Sequence, residues 1–164
     1  MIRPEQVGGA PGRGGRERGV GRARGATVLQ GGRAKAYRPI SADARAAAQA
    51  AGLAAYERGE FFEAHELMEP AWMGTDDLAE RELHQGLIKL AAAFVHADRG
   101  NRLGIQKNLR GAHLHLAAAL AAPAPTPTEI DVATIVAAIE DRLARLAARP
   151  SDPAIAPIPI SRLA

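Results

Sequence analysis

Glycine and proline cut the middle of this chain into helix-length pieces, and that punctuation constrains the fold more than any other feature. Gly59, Gly74, Gly100, Pro123 and Pro150 bound runs whose apolar residues recur at three- and four-residue spacing, the period of an amphipathic helix. Ser41 is placed to cap an Ala-rich first helix (Ala44, Ala47, Ala48, Ala51, Ala54, Ala55) that stops before Gly59, a residue suited to the left-handed position that closes a helix. A second helix is predicted from about Glu60 to Met73 with Gly74 as its stop; Pro70 inside it removes a backbone hydrogen bond, so a kink or restart is expected there. Asp77 and Glu80 make a capping-box-like start for a third helix, Leu78 to Asp98, with an apolar face of Leu83, Leu87, Leu90, Ala91 and Phe94. Asn101 is placed to cap a fourth helix carrying Ile105, Leu109, Ala112, Leu116 and Leu120. After a Pro/Thr linker, a fifth carries Val132, Ile135, Val136, Ile139, Leu143 and Leu146. No segment shows the alternation of a strand, so the expected class is all-α, a small bundle of about five helices built from helical hairpins.

Charge divides the chain differently. Residues 1–40 hold nine Lys/Arg against Glu5 and Glu17, a net +7, while the remaining 124 hold 12 Lys/Arg against 16 Asp/Glu, a net −4. The overall +3 therefore describes a basic segment joined to a mildly acidic domain. Residues 1–38 are Gly/Arg-rich with few large apolar side chains and are expected to be a disordered tail, since they bury too little surface to offset chain entropy. Residues 39–149 form the expected helical domain. Residues 150–164 alternate Pro with apolar residues and are expected to be extended and weakly ordered, lying along it.

These features exclude several classes. With no cysteine there is neither a disulfide framework nor a thiolate metal site. No apolar run approaches the ~18–20 residues that span a bilayer, and no apolar stretch follows the charged N-terminus, so the expectation is a cytoplasmic protein without a secretory signal or membrane anchor. The arginines of the tail could contact nucleic-acid phosphates non-specifically; without aromatics before Tyr37 to stack on bases, a solubilising tail is the favoured reading. The glycines lack the spacing of a phosphate-cradling loop, and no Ser or Thr has a nucleophile-elbow context. Tyr56-Glu-Arg-Gly and Ala97-Asp-Arg-Gly, 41 residues apart, form an internal echo that predicts two similar helix-joining turns.

One helix carries an unusual mixture of side chains. In Gly59-Glu-Phe-Phe-Glu-Ala-His-Glu-Leu-Met-Glu-Pro-Ala-Trp72, the side chains of Phe61, His65, Glu69 and Trp72 fall within about 80° of one another on a regular helix. Aromatics seeking the core would carry an imidazole and a carboxylate with them, and a buried carboxylate needs a partner. On the next helix Gln85 and His96 lie eleven residues apart, three turns, with the small Ala92 between. If the two helices form an antiparallel hairpin, His65, Glu69, Gln85 and His96 could meet. Two imidazoles and a carboxylate could then hold a divalent metal at His65, Glu69 and His96, with Glu66 or Gln85 orienting the ligands. The His-Glu-x-x-Glu order departs from the zinc-peptidase His-Glu-x-x-His at its second ligand, and Phe62 stands where a di-iron bundle places a Glu. The bland alternative is a polar cluster that sets helix register through mutual hydrogen bonds. His113 and His115 point to nearly opposite faces and cannot share a metal; His84 follows Glu80 by four residues, which reads as a surface pair.

These residues also carry a family resemblance. Gly59-x-Phe-Phe-Glu-Ala-His65-Glu66-x-x-Glu69-x-x-Trp72, followed by Gln85-Gly-Leu-Ile-x-Leu-Ala-Ala-Ala-x-x-His96-x-x-x-Gly100-Asn101, resembles the domain of unknown function 309 family over roughly Ala44 to Leu120. The resemblance implies a compact helical domain and no settled biochemical activity. It implies that the family's signature falls on His65, Glu69, Trp72, Gln85, His96, Gly100 and Asn101, and Pro70 departs from the helix former that relatives carry. The favoured expectation is a structural polar cluster in a binding or scaffolding module, with a protein partner or small ligand. The alternative is a metal-dependent or acid–base, hydrolase-like enzyme using His65, Glu69 and His96.

Overall fold

The computed structural model describes residues 25–164. Two short strands, β1 (Thr27–Gln30) and β2 (Arg33–Ala36), precede five helices: α1 (Ala42–Glu57), α2 (Phe61–Met73), α3 (Leu78–Asp98), α4 (Arg102–Ala121) and α5 (Val132–Ala148). The five-helix expectation holds, and α3 has the bounds read from its caps. No helix among the described residues is long and apolar enough to cross a membrane.

The caps explain the boundaries. Ser41 accepts a hydrogen bond from the Ala44 amide, Asp77 from Glu80, Asn101 from Gly104 and Asp131 from Thr134. The echoed turns are built alike. Glu60 N–H bonds to the Ala55 carbonyl and Gly59 N–H to Tyr56, while Asn101 and Gly100 repeat both bonds to His96 and Ala97. These are Schellman closures, and Gly59 and Gly100 have φ of 79° and 63° there, which a side chain would strain. Gly74 ends α2 for another reason. Its φ is −86°, and an added Cβ would lie 2.4 Å from Ile40 Cγ1 and 2.7 Å from the Pro70 carbonyl. α2 runs uninterrupted through Pro70, so no restart occurs.

α3 is the central element, packed between α2 and α4, with α1 against α2 and α5 against α4. Its apolar face is buried as expected, joined by Ile105, Leu109, Ala112 and Leu116 of α4 and by Ile135, Ile139 and Leu146 of α5. Gly86 lets α3 and α4 approach closely, since a Cβ would meet Leu116 Cγ at 2.5 Å. Tyr56, Phe61 and Phe94 form an aromatic cluster with ring centroids 5.1–6.1 Å apart. One stripe member departs: Leu120 is exposed, and Ala119 takes the buried position at the end of α4.

Two departures bear on function. The tail expected to be disordered divides: residues 1–24 lie outside the described residues, and residues 27–36 form an antiparallel hairpin, with Gln30 opposite Arg33 and Val28 opposite Lys35. Gly31 and Gly32, at φ 57° and 73°, supply the two left-handed residues of a tight hairpin turn. The reading that no segment forms a strand is thereby corrected. The C-terminal segment runs extended but is firmly seated. Leu163 and Asp131 amides bond to the Glu129 and Ser161 carbonyls, each at 2.8 Å, pairing it with the α4–α5 linker.

Candidate functional site around the second and third helices

The residues of the signature helix α2 do not all face one way. Phe61 enters the core, Phe62 is exposed, and His65 is half-buried with Nδ1 3.1 Å from Glu66 Oε1. His65 and His96 line one shallow depression of about 150 Å³ with Phe62, Ala92, Val95 and Arg99. That much of the expected convergence is present. Glu69 and Gln85 do not line the depression; both are half-buried, and Gln85 Oε1 is enclosed without a hydrogen-bond partner. Among the described residues no three His, Cys, Asp or Glu side chains are grouped to hold a metal, so His65, Glu69 and His96 are not assembled as a ligand set. Each imidazole has one ring nitrogen near a neighbour along the chain, His65 at Glu66 and His96 at Asn101.

For His96 that neighbour explains the signature's spacing. Its Nδ1 lies 3.1 Å from Asn101 Nδ2, whose Oδ1 accepts the Gly104 amide at 3.0 Å. A Cβ on Gly104 would come within 2.4 Å of the imidazole. His96, Gly100, Asn101 and Gly104 thus clamp the α3–α4 turn.

Trp72 turns toward the hairpin. Its Nε1 donates to Gln30 Oε1 at 3.0 Å, and the Arg81 guanidinium sits 5.0 Å from the centre of its ring system. Arg81 is 0% exposed and donates to Gln30 Oε1 (3.2 Å), the Thr75 carbonyl (2.9 Å) and the Ala36 carbonyl (3.3 Å). Burial pushes its pKa down, with Glu82 opposing. One buried cation therefore joins α3, the α2–α3 turn and the hairpin through neutral acceptors.

Beside it lies a second polar knot. Glu80 takes a bidentate bond from Arg45 of α1 (2.6 and 3.1 Å), one from the Thr75 hydroxyl (2.8 Å) and one from His84 Nε2 (3.4 Å). Against the cost of burial, the His84 ring N–H, the Arg45 guanidinium and the Thr75 hydroxyl hold the Glu80 carboxyl well below its ordinary range, at about 2. The capping box is half made, because Asp77 caps Glu80 but the Glu80 carboxylate reaches Arg45 instead of the Asp77 amide, which bonds to Thr75 Oγ1. His84 is corrected from a surface residue to a buried one at 1% exposure, with Nδ1 unpartnered. Gln30, Arg45, Thr75 and Arg81 were missed altogether. The Gly31-Gly32 pair between two four-residue runs was the signal for the hairpin that brings Gln30 in. The remaining histidines bind separate partners, His113 with Glu140 (2.8 Å) and His115 with Glu82 (2.5 Å).

On the far side of the helices the C-terminal segment spans from α1 to α5. The Tyr56 hydroxyl donates to the Ile158 carbonyl at 2.9 Å, Arg142 donates to the Ala156 and Pro157 carbonyls at 2.9 and 3.5 Å, and Arg162 pairs with Glu57 at 3.0 Å. Ile158 is 1% exposed, with Ile155 and Ile160 packed against the core on either side. Burial pushes the Tyr56 phenol well up, so it remains a donor. Where the α4–α5 linker meets the tail there is an apolar cleft of about 420 Å³, lined by Leu83, Leu120, Val132 and Leu163 among others.

Comparison with known proteins bears on the signature helices. No curated protein and no solved structure matches the chain. Residues 50–108 match the family described as Domain of unknown function (DUF309), a span from within α1 to within α4 that holds His65, Glu69, Trp72, Gln85, His96, Gly100 and Asn101. Over these helices the chain is similar to the DUF309 family.

Proposed function

We propose that this protein is a helical binding module for extended, apolar-studded polypeptide, in which the polar residues of the signature serve architecture. The carrying observation is the way residues 155–162 are held. Side chains of α1 and α5 contact main-chain carbonyls at Ala156, Pro157 and Ile158, contacts that any sequence can make. A closed apolar site accepts one side chain, Ile158. Backbone contacts for affinity and a pocket for selectivity are the elements of peptide recognition, and Pro153, Pro157 and Pro159 favour the extended form before binding. The chain's own C-terminal segment fills the groove in this arrangement.

Ile158→Asp in the full chain should eject that segment, because the site offers no partner for a carboxylate. A labelled peptide of residues 153–164 is then expected to bind the variant and not the parent, with folding checked by circular dichroism. A folded variant that ignores the peptide would sink the proposal. The metal or acid–base alternative needs His65, Glu69 and His96 on one ligand. Excess Zn²⁺, Mn²⁺ or Fe²⁺ is expected to leave the melting temperature unchanged; a rise abolished by both His65→Ala and His96→Ala would restore that alternative.

A further inference from the structure

The chain has three lysines, Lys35, Lys89 and Lys107, among its 21 basic residues, and the fold gathers all three. We propose that they form a binding site for a phosphate-bearing anion. The inference is independent of the peptide groove, which lies elsewhere in the molecule.

Each lysine comes from a different element. Lys89 lies on α3, and its stem crosses α4 at Gly111, where an added Cβ would come 3.4 Å from Lys89 Cδ and 3.8 Å from Cε. Lys107 is one helical turn before Gly111, on the same side of α4. Lys35 arrives on the hairpin. Gln30 is the buried, inward-facing residue of β1; Val28 shares its face, and Lys35 is paired with Val28. Lys35 is half-buried, while Ala34 and Ala36 on the opposite face are exposed. The adjoining Ala36 carbonyl is tied to Arg81 of α3, and Arg81, Gln85 and Lys89 follow one another at four-residue spacing along that helix. The hairpin therefore reaches α3 two turns before Lys89, with Lys35 on its inward face.

Among the described residues no ion pair offsets the charges in this group. Burial does most to lower the Lys89 pKa, and the neighbouring positive charges of Lys107 and Lys35 lower it further. None of the nine ion pairs among the described residues includes a lysine, although five arginines are so paired. Like charges brought together and partly desolvated destabilise a fold unless a counter-charge arrives. A phosphate dianion supplies one, with oxygens enough for three ammonium groups carried on three elements; lysine acts as a point-charge phosphate ligand. The phosphate could be free or part of a nucleic-acid backbone, and the shared chemistry is what the lysines recognise.

Isothermal titration of the full-length protein with inorganic phosphate, pyrophosphate and a short single-stranded oligonucleotide tests this, with chloride and acetate at matched ionic strength as controls. Binding of at least one phosphate species is expected, weakened about tenfold by Lys89→Gln and severalfold by Lys35→Gln, and abolished when all three lysines become Gln. Lys89→Met, which keeps the stem over Gly111, should weaken binding as Lys89→Gln does, which separates loss of charge from loss of packing. Oligonucleotide binding that is lost in the triple variant, without binding of inorganic phosphate, would assign the backbone as source. Equal binding by the parent and the triple variant, or a phosphate response no larger than that to acetate, would overturn the proposal.

Discussion

Helix α3 treats charge in two opposite ways within three turns. At its start, Glu80 and Arg81 are enclosed and answered: the carboxylate by Arg45, Thr75 and His84, the guanidinium by three oxygen acceptors and the Trp72 ring. Further along, the charges that act on Lys89 among the described residues are those of Lys107 and Lys35, both of its own sign. The closed cluster holds α1, the α2–α3 turn and the hairpin in register, and its guanidinium is fully buried. The lysine group is arranged for a counter-charge that the described residues do not supply. Partnering, more than residue type, separates architecture from a candidate site on this helix.

The contrast can be broken most forcefully at Arg81. Arg81→Ala removes three hydrogen bonds, the contact with Trp72 and a large buried side chain, and should cost about 4 kcal/mol, since acceptors and cavity are left behind together. Denaturant unfolding measures the loss. Fluorescence of Trp72, the only tryptophan, should report release of the hairpin even under native conditions. A loss below about 1 kcal/mol would mean the enclosed cluster is not what holds the hairpin.

Glu80→Gln should cost about 2 kcal/mol at neutral pH, because Arg45 loses its carboxylate in a half-buried setting. The sign with pH follows from the lowered pKa. A carboxyl at about 2 in the fold, against an ordinary 4.5, stabilises fully above the ordinary value and loses that contribution as pH falls from about 5 toward 2. Urea midpoints of parent and variant should therefore converge across that window. Parallel curves would assign the acid sensitivity elsewhere.

The smallest effect should have the opposite sign. Lys89→Gln relieves repulsion and is expected to change stability by no more than about 0.5 kcal/mol, in the stabilising direction at low salt and fading as salt rises. A clear destabilisation would show that Lys89 has a partner holding it in place, and would erase the contrast with Glu80 and Arg81.

Much of the helical frame was legible because its signals are local. Ser41, Asp77 and Asn101 cap the helices they precede, and Gly59 and Gly100 turn where a left-handed residue is required. Leu83, Leu87, Leu90 and Phe94 are buried because their spacing places them on one face. The polar groups were read less well. His65 and His96 do approach one depression, yet Trp72 points to a hairpin concealed in a Gly/Arg-rich stretch, and His84 is buried where an i, i+4 pair with Glu80 suggested surface. An apolar side chain needs only a direction toward the core. A polar one needs a particular partner, and here Gln30 lies 42 residues from Trp72 and Arg45 lies 35 from Glu80.

The sequence by itself determined the number of helices, most of their caps and turns and the apolar faces, because periodicity and termination act over a few residues. Only the tertiary structure decided which charges are answered. It placed Arg81 under the hairpin and Glu80 against α1, and it seated Ile158 between α1 and α5. It also drew three lysines from separate elements toward one another. Charge pairing depends on distance in space, and no spacing along the chain encodes the distance between a strand near one end and helices many turns away.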